Sequence, residues 1–409
     1  MKKRLVIIGG GFAGLQLIQN ISKDWEVFLI DRQNYHQFQP LLYQVAIGEI
    51  EPSSILFPYR NLFSGKKNIH FINGEIQRIE PEAKKVFVEQ QNLDYDALVL
   101  AMGTENNFFN QASFKNHCLT LKSLDESVHL RNQIFTRLEE ISQLPKEYQA
   151  DALQWVIIGA GPTGIELGAI LSQMRFSVFQ REYPEIDFSQ MCLHLIEAGS
   201  RILAGMSEKS SNYAQQYLEK IGLKIHLQTL VKSCTTDEII LQNDQILKTG
   251  FTLWTAGVQA RTIEGLTLAE RNRTNRILVD RQHQVKNYFD IYCIGDQALM
   301  SSEAYPQGHP QVAQVALQQG KNLAKILNNP QKTYFFTYKN KGSMAILGKQ
   351  NAVVDLQGLH FSGIFAWFLW SFVHIFSIIG VKNKISVFIN WVFFYFSKRN
   401  NLRIITRKN

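Results

Sequence analysis

Apolar runs that end in glycine-rich turns and lead into helical patterns recur along the chain. Residues 4–9 (RLVIIG) precede the helical pattern FAGLQLIQNI, and a second apolar run, Val27–Ile30, closes at Asp31. This alternation predicts a β-α-β unit, in which a helix joins two strands. Residues 155–159 (WVIIG) repeat the pattern well downstream and lead into a helix that reaches Met174. Two such units predict two separate nucleotide-binding domains.

The remaining pattern adds strands, helices and a hydrophobic end. Buried strands are predicted at 96–103 (DALVLAMG) and 290–296 (DIYCIGD), and helices at 124–143 and from about Gln311 to Leu327. Residues 333–356 predict paired strands, and from Leu359 onward aromatic and aliphatic residues dominate. The predicted fold class is therefore α/β, with two Rossmann-like dinucleotide-binding domains and a C-terminal helical segment that anchors the protein to a membrane.

Composition narrows the possible partners. A chain of 409 residues with 45% hydrophobic and 19% charged residues is long enough for two or three domains. Lys and Arg number 43 against 35 Asp and Glu, which gives a net charge of +8. The basic residues cluster at the C-terminus beside aromatic runs, so we expect an anionic membrane surface as the partner and no nucleic acid.

The four cysteines, Cys118, Cys192, Cys234 and Cys293, are scattered and form no C-x-x-C pair. This spacing argues against a disulfide scaffold, a zinc or other metal site, and a dithiol redox centre, and it predicts buried free thiols in a reducing compartment. The basic start followed by an apolar run resembles a secretory signal, but its glycines have the fingerprint spacing and no cleavage site follows. We therefore expect the protein to stay on the cytoplasmic side.

The first motif is Gly9-Gly10-Gly11-Phe12-Ala13-Gly14, a G-x-G-x-x-G at a strand-to-helix turn. Gly9 permits the tight turn, Gly11 lets the backbone approach a pyrophosphate, and Gly14 lets the helix pack on the sheet. The helix N-terminus supplies N–H donors and a partial positive charge. Asp31 ends the next strand, where a carboxylate can hold ribose hydroxyls. Together these features predict a dinucleotide site.

The second motif is Gly159-Ala160-Gly161-Pro162-Thr163-Gly164, and its acidic partner is delayed by an insertion at 176–191. The following strand is predicted at 193–196 and ends in Glu197. A carboxylate there accepts the ribose 2′-hydroxyl of NADH and repels the 2′-phosphate of NADPH, although the nearby Arg201 softens this preference.

A late strand that ends in Gly295-Asp296 predicts which domain holds the flavin. Two-nucleotide flavoenzymes of the glutathione-reductase type close the FAD site in this way, and we expect a helix N-terminus there to point at the flavin. The predicted domains are a discontinuous FAD domain (1–115 and 285–330), an inserted NADH domain (150–284), a β-rich connection (331–358) and an amphipathic anchor (359–409). The predicted crossings between domains are 101–103 (AMG) and 255–258 (TAGV).

Several of these segments resemble type II NADH dehydrogenases. They are the two fingerprints, DRQNYH at 31–36, FQPLLYQVA at 38–46, AGVQ at 256–259, Gly295-Asp296 and AQVALQQ at 313–319, and the similarity runs over essentially the whole chain. The resemblance implies FAD and NADH as cofactors, a menaquinone or ubiquinone acceptor and no proton pumping. It also implies a homodimer attached peripherally to the cytoplasmic face of the cell membrane.

The resemblance also supplies site residues. It implies that Gln314, Ala316 and Gln318 line a quinone pocket, with Gln314, Gln318 and Glu166 as catalytic residues, Glu166 either relaying protons or shaping the site. It places a lysine near the quinone, for which Lys382 and Lys384 are both candidates. The residues predicted to bind FAD are Gly9, Gly11, Phe12, Ala13, Gly14, Asp31, Arg32, Gln44, Ala101, Gly103, Gly295, Asp296, Ala313 and Gln314. Those predicted to bind NADH are Gly159, Gly161, Pro162, Thr163, Gly164, Glu166, Glu197, Ala256, Gly257 and Val258.

The hydrophobic C-terminus predicts membrane attachment. Residues 359–381 contain no Asp, Glu, Lys or Arg, whereas 385–396 is too short to span a bilayer. A single crossing would put the basic tail (Lys382, Lys384, Lys398, Arg399, Arg403, Arg407 and Lys408) opposite the NADH side, against the preference of positive residues for the cytoplasm. Two helices lying in one leaflet avoid this conflict. We expect Trp367, Trp370 and Trp391 at the headgroup boundary, and Phe365, Phe368, Phe372 and Phe376 in the acyl region.

Other functions share some of these sequence features. A reductase of a soluble carrier, of the ferredoxin or rubredoxin type, shares both fingerprints but needs no hydrophobic C-terminus. A sulfide:quinone reductase needs active-site cysteines that this sequence lacks at suitable positions, and a flavin redox sensor without turnover would not need the second fingerprint. The aromatic stretch itself is also compatible with a dimer interface or a buried core helix.

Overall fold

The computed structural model describes residues 2–89, 91–396 and 401–406. The strands in this part of the chain are β1 (Lys3–Ile8), β2 (Trp25–Asp31), β3 (Tyr35–Gln37), β4 (Leu56–Pro58), β5 (Ile69–Asn73), β6 (Ile76–Glu80), β7 (Lys85–Val88), β8 (Gln91–Asp94), β9 (Ala97–Leu100), β10 (Thr104–Asn106), β11 (Leu119–Thr120), β12 (Gln154–Ile158), β13 (Cys192–Ile196), β14 (Leu223–His226), β15 (Val231–Cys234), β16 (Glu238–Leu241), β17 (Ile246–Lys248), β18 (Phe251–Trp254), β19 (Val258–Ala260), β20 (Ile277–Leu278), β21 (Ile291–Cys293), β22 (Ala298–Leu299), β23 (Ser343–Ile346), β24 (Ala352–Leu356) and β25 (Leu359–Ser362).

The α-helices over the same residues are α1 (Phe12–Asn20), α2 (Leu42–Ala46), α3 (Tyr59–Leu62), α4 (Ala112–His117), α5 (Leu124–Ser142), α6 (Lys146–Ala152), α7 (Pro162–Met174), α8 (Gln180–Glu182), α9 (Glu208–Lys220), α10 (Ala313–Asn328), α11 (Gly363–Ser377) and α12 (Val381–Phe396). The helices predicted at 124–143 and 311–327 therefore exist, within one or two residues of their predicted ends.

The chain divides into two compact units. The first comprises Met1–Gln37, Phe57–Glu105 and Val258–Asn340, and the second comprises Phe38–Leu56, Asn106–Gly257 and Lys341–Asn409. The first unit overlaps the predicted FAD domain but excludes Phe38–Leu56, which packs with the second unit. This division describes backbone packing, and the boundaries of the functional domains stay a prediction.

A five-stranded parallel sheet organises the first unit, in the order β21-β9-β1-β2-β5. The central strand β1 pairs with β2 through Ile8↔Ile30 and with β9 through Ile8↔Leu100, so three strands end beside one another. Its apolar residues Leu5–Ile8 are buried, as expected for a strand covered on both faces. Helices α1 and α10 pack closely because Gly320 of α10 carries no Cβ, which would lie 2.4 Å from the Ala13 carbonyl oxygen.

The second unit repeats this plan around the parallel sheet β11-β18-β12-β13-β14. The register Ile158↔Ile196 and Ile158↔Trp254 again ends three strands side by side. The antiparallel ribbon β15-β16-β17 packs on this sheet through a hydrophobic cluster that includes Phe114, Cys234 and Trp254. The predicted α/β class with two Rossmann-like units is confirmed.

The insertion at 176–191 forms part of the core of the second unit. A π-helical turn over Arg175–Phe179 continues α7, and Phe179 is fully buried in ring contacts with Phe135, Trp155 and Phe188. The insertion also holds Glu182, which forms an ion pair with Arg403. Arg403, predicted as part of a basic tail at the membrane, is therefore bound to protein, while Lys398, Arg399, Arg407 and Lys408 lie outside the described residues.

The C-terminal part of the second unit begins with the antiparallel sheet β23-β24-β25 and continues into α11 and α12. The paired strands predicted at 333–356 exist, but they start only at Ser343, and Leu359–Ser362 is a third strand that precedes the helix. Among the described residues, no helix is both long enough and apolar enough to span a bilayer.

Two of the three tryptophans expected at the lipid headgroups are buried. Trp370 is packed between His374, at 4.0 Å between ring centroids, and Trp391, at 5.7 Å. The Trp391 indole Nε1 donates to the Gln44 side-chain oxygen at 2.9 Å. The prediction was wrong for Trp370 and Trp391 because a run of consecutive apolar residues contains no polar positions that mark which face of the helix turns inward. His374 packs on Trp370, and its Nδ1 lies 2.8 Å from the Trp370 carbonyl oxygen.

Candidate functional site

The first fingerprint forms a tight turn at the end of β1. Gly9 adopts a positive φ of +103°, and a Cβ there would lie 2.3 Å from the Ala101 carbonyl oxygen. A Cβ at Gly14 would lie 2.0 Å from the Gly9 carbonyl oxygen, whereas a Cβ at Gly11 would meet no atom within 4 Å. Two of the three predicted glycines are thus required by the fold itself, and Gly11 faces open space at the helix N-terminus, where a pyrophosphate can approach.

Asp31 braces this turn. One carboxylate oxygen accepts the Gly10 N–H at 2.7 Å, and the other accepts the Gln33 N–H at 2.8 Å. Burial raises the pKa of the Asp31 carboxyl, and these two backbone hydrogen bonds oppose that shift. Arg32 is exposed beside it. The oxygen that accepts from Gly10 is also 3.4 Å from the Tyr59 hydroxyl, whereas the oxygen that accepts from Gln33 keeps a second lone pair with which it can bind a ribose hydroxyl.

Two further residues, for which the sequence predicted no role, also stabilise this turn. The Gly10 carbonyl accepts hydrogen bonds from the Tyr59 hydroxyl at 2.8 Å and from His36 Nδ1 at 3.0 Å. Burial lowers the pKa of His36, so the neutral ring with a proton on Nδ1 fits this contact. Tyr59 lies far along the chain, and no sequence signal connects it to the turn.

The end of β21 lies against helices α1 and α10, because Gly295 is next to Ala13 of α1 and Ala316 of α10. The Gly295 N–H donates to the buried Gln319 side chain at 2.7 Å, and the Met102 N–H donates to Gln297 at 3.1 Å. A single 3₁₀ turn over Gly295–Gln297 follows the strand, and the helix predicted from about Gln311 begins at Ala313 as α10. The intervening loop contains Pro306 and Pro310, which disfavour a continuous helix.

The second fingerprint reproduces the first almost atom for atom. Gly159 has a φ of +105°, and a Cβ at Gly164 would lie 2.1 Å from the Gly159 carbonyl oxygen. A Cβ at Gly161 would meet nothing within 4 Å. Pro162 occupies the first position of α7, where its missing N–H costs nothing. Ala256 abuts Gly159, as Ala101 abuts Gly9 in the other unit.

Glu197 stabilises the second turn in the same way as Asp31 stabilises the first. Its two carboxylate oxygens accept the Ala160 N–H at 2.8 Å and the Gly199 N–H at 2.7 Å. Arg201, considered as a competing contact for NADPH, donates instead to the carbonyl oxygens of Met206 and Ala204, at 3.0 and 2.7 Å. Its guanidinium is therefore held by its own loop.

Each fingerprint turn and its acidic residue (Gly9–Gly14 with Asp31, Gly159–Gly164 with Glu197) form a cradle that fits a dinucleotide. Each combines a glycine that leaves open space at a helix N-terminus with a carboxylate that is already oriented by backbone N–H groups, which is what a pyrophosphate and a ribose require. Of the other residues predicted to bind FAD, Phe12, Ala13, Gly103, Asp296 and Ala313 belong to the first unit. Of those predicted to bind NADH, Thr163 and Gly257 belong to the second unit, whereas Val258 belongs to the first.

A buried group of titratable side chains lies in the second unit. It contains Tyr43 on α2, Glu49, whose residue surface is only 2% exposed, and the partly buried Glu166 on α7. Burial raises the pKa of Glu49 to about 8, and the charge of Lys349 opposes the shift. Burial also raises the pKa of Glu166 to about 8, opposed by a hydrogen bond from the Ile346 backbone.

Tyr43 connects these two acids electrostatically. Burial, followed by the charges of Glu166 and Glu49, raises the pKa of the Tyr43 phenol well above its ordinary value. Lys349, whose ammonium lies 4.0 Å from the Phe394 ring centroid, has a pKa lowered by burial. Within this group only Glu166 could be assigned a role from sequence, because Glu49 and Lys349 belong to no motif and interact only in the fold.

The residues predicted for the quinone lie in different places. Ala316 is buried on α10, and the Gln318 amide both donates to and accepts from the Lys339 backbone, at 2.9 and 3.0 Å. Both are in the first unit, as is Gln314. Lys382 is exposed and Lys384 donates to the Phe376 carbonyl at 3.1 Å, in the second unit. Gln44, predicted to bind FAD, is buried in the second unit against Trp391.

Comparisons with known proteins agree with this architecture. Residues 3–320 match the pyridine nucleotide-disulphide oxidoreductase family, and residues 340–400 match the NDH2 C-terminal domain. The type II NADH:quinone oxidoreductase Ndh of Mycobacterium tuberculosis is 29% identical over 99% of this chain and 90% of its own length. The type II NADH:quinone oxidoreductase of Staphylococcus haemolyticus is 26% identical over 90% of this chain and 93% of its own.

Solved structures show the same fold. NDH2 from Plasmodium falciparum, solved in complex with NADH, has a TM-score of 0.91 and 20% identity, with both chains fully covered. The sulfide:quinone oxidoreductase of Aquifex aeolicus has a TM-score of 0.76 and 18% identity, over 97% of this chain and 96% of its own. The chain belongs to the pyridine nucleotide-disulphide oxidoreductase family, and with its NDH2 C-terminal domain it is a member of the type II NADH dehydrogenases.

Proposed function

We propose that this protein is an FAD-dependent NADH:quinone oxidoreductase that transfers electrons from NADH to a membrane quinone without pumping protons. The observation that carries the proposal is the pair of acid-braced glycine cradles, one in each unit, together with a C-terminal region whose two helices have a large exposed apolar surface. The relatives named as type II NADH:quinone oxidoreductases cover nearly the whole chain and support the same activity.

We assign FAD to the cradle of Gly9–Gly14 and Asp31, and NADH to that of Gly159–Gly164 and Glu197. The first cradle lies beside the Gly295-Asp296 strand end, which supports the flavin assignment. Glu197 supports NADH over NADPH, because its carboxylate would repel a 2′-phosphate and Arg201 is held away by its own loop. Bound FAD accepts a hydride from NADH and supplies two electrons to the quinone.

The reaction of NADH with a quinone to give NAD⁺ and a quinol consumes one proton. Glu166 is suited to hold it, because a carboxyl whose pKa is about 8 is protonated at neutral pH. Glu49 and Tyr43 are proposed to support the same role, since both are buried and electrostatically linked to each other. Gln314, Ala316 and Gln318 are proposed to line the quinone pocket, and Lys349 is a better candidate than Lys382 or Lys384 for a lysine that acts in a buried site.

We propose that α11 and α12 attach the protein peripherally to the membrane. Along α11, Phe365, Phe368 and Phe372 recur at helical spacing and are each 60% exposed. The other exposed apolar residues of the two helices are Ile364, Val373, Phe376, Val381, Ile385, Phe388, Ile389, Val392 and Phe393. The finer expectations of attachment at the cytoplasmic face and of a homodimer belong to the same proposal.

The attachment is tested by flotation of the purified protein with anionic lipid vesicles. Phe368→Gln/Phe372→Gln should lower the partition coefficient by on the order of 100-fold, since each partly exposed phenyl is worth about 1.5 kcal/mol on insertion and every ~1.4 kcal/mol is a factor of ten. The control is Phe289→Gln, which removes an equally large ring that is 91% exposed outside this region. Equal flotation of the double variant and the wild type would contradict the proposal, and reduction of a water-soluble quinone should remain intact in both.

A further inference from the structure

The fold brings together two cysteines that are far apart in sequence. The sulfur atoms of Cys118 and Cys234 lie 3.4 Å apart, and Cys234 also lies 3.3 Å from the Ser113 carbonyl oxygen. These contacts fit a short chain in which the Cys118 thiol donates to Cys234 and the Cys234 thiol donates to Ser113. All four cysteines are free, as their scattered spacing predicted, but the fold places two of them in contact.

We propose that Cys118 and Cys234 form a reversible disulfide, so that the nucleotide-binding unit carries a redox-modification site. Cys118 follows the last residue of α4, and Cys234 ends β15. A disulfide requires a sulfur–sulfur distance of about 2.05 Å. Side-chain rotation can supply most of the closure from 3.4 Å, because both sulfurs already face each other.

The surroundings favour oxidation at this pair over the other thiols. Cys118 is partly exposed, whereas Cys192 and Cys293 are buried and are not paired with a second thiol in the described residues. The Cys118 thiol holds the pKa of the Cys234 thiol below its usual value by donating a hydrogen bond. A lower pKa enlarges the thiolate fraction, which is the reactive species.

The step balances with a peroxide as the oxidant. One thiolate attacks the O–O bond of hydrogen peroxide and becomes a sulfenic acid, and the second sulfur then displaces water from it. In total, two thiols and one peroxide give one disulfide and two water molecules. A dithiol reductant reverses the step by thiol–disulfide exchange.

The disulfide would cross-link the core beneath the NADH cradle. Cys234 belongs to the hydrophobic cluster that contains Ile158, Ile196 and Trp254, the last residues of the three strands that meet at the second fingerprint. The closed loop from 118 to 234 would enclose that fingerprint and Glu197. A loop of this length restricts the unfolded chain strongly, so we expect the oxidised protein to melt about 5 °C or more above the reduced one.

The test is thiol counting on the intact flavoprotein after exposure to hydrogen peroxide. Blocking with N-ethylmaleimide under denaturing conditions should show two thiols lost in the wild type, and peptide mass spectrometry should find Cys118 joined to Cys234. Dithiothreitol should restore both thiols. The Cys192→Ser/Cys293→Ser variant should behave like the wild type, and Cys118→Ser should form no cross-link.

Four thiols that all remain reactive after peroxide, or oxidation to sulfinic acid without the cross-linked peptide, would overturn the proposal. Thiol counting does not depend on turnover with NADH or quinone. The native wild-type protein supplies the decisive result even if a serine variant folds poorly.

Discussion

The two cradles have the same local geometry, so the same glycine-to-alanine substitution in each tests which nucleotide each cradle binds. A Cβ at Gly161 would meet no protein atom within 4 Å, and Gly161 has an ordinary extended backbone with φ of −73° and ψ of 178°. The same holds for Gly11, with φ of −66° and ψ of −165°. Alanine therefore fits the folded chain at either position, but its methyl group would enter the space that a pyrophosphate needs.

We expect Gly161→Ala to weaken NADH binding and to leave the flavin in place. Overpacking by one methyl group costs about 1–3 kcal/mol, which corresponds to a roughly 5- to 150-fold rise in the dissociation constant. Gly11→Ala should show the reverse, with FAD lost from the purified protein. The assays are the flavin content per chain, from its visible absorbance, and the dissociation constant of NAD⁺ by calorimetry.

The matched control is Gly164→Ala. Its Cβ would lie 2.1 Å from the Gly159 carbonyl oxygen, so this substitution should damage the fold itself. A colourless Gly161→Ala protein that still binds NAD⁺ normally would refute the assignment of nucleotides to cradles. Normal binding of both nucleotides in both variants would refute the inference that these glycines face the pyrophosphates.

Three further substitutions probe other parts of the account. Glu197→Ser with Ala198→Arg removes the repelling carboxylate and adds a cation, so the ratio of kcat/KM for NADPH to that for NADH should rise by roughly 10- to 100-fold; an unchanged ratio would argue against the role of Glu197. Glu49→Gln tests the buried acid: because the folded state raises its pKa from 4.5 to about 8, wild-type stability should fall as pH rises through this window, by at most about 5 kcal/mol. The variant should therefore melt higher than the wild type near pH 9 but not near pH 5, and parallel Tm profiles would show that Glu49 is not held protonated. Gly320→Ala places a Cβ 2.4 Å from the Ala13 carbonyl oxygen and should lower the Tm, whereas Gly205→Ala, which meets nothing within 4 Å, should not.

The sequence predicted the cradles well because their signals are local. Gly9, Gly14 and the strand-ending Asp31 lie within one β-α-β unit, so spacing alone indicates their roles. Helix α5 was predicted for the same reason, since its apolar periodicity lies within one segment; the structure adds an N-terminal cap, in which the Ser123 hydroxyl accepts the Glu126 N–H.

Residues that act across long sequence separations could not be predicted. His36 and Tyr59 share the Gly10 carbonyl, and Gln319 holds the Gly295 N–H, through contacts that only the tertiary fold creates. The same is true of Glu49 with Lys349, and of Cys118 with Cys234.

The orientation of the aromatic helices was beyond sequence reasoning for a different reason. When nearly every position is apolar, the hydrophobic pattern does not distinguish the face that packs on protein from the face that is exposed. Trp370 and Phe368 are two residues apart, yet the first is buried and the second is 60% exposed. Their environments depend on β24 and α12, which pack against α11 only in the folded unit.

Anaerobic mixing of the purified protein with NADH and then with quinone tests whether a bound flavin transfers electrons from NADH to quinone. We predict that the protein is yellow, that NADH bleaches the flavin absorbance, and that added quinone restores it as quinol forms. A colourless protein, a flavin that stays oxidised in the presence of NADH, or a bleached flavin that quinone fails to restore would each contradict this prediction.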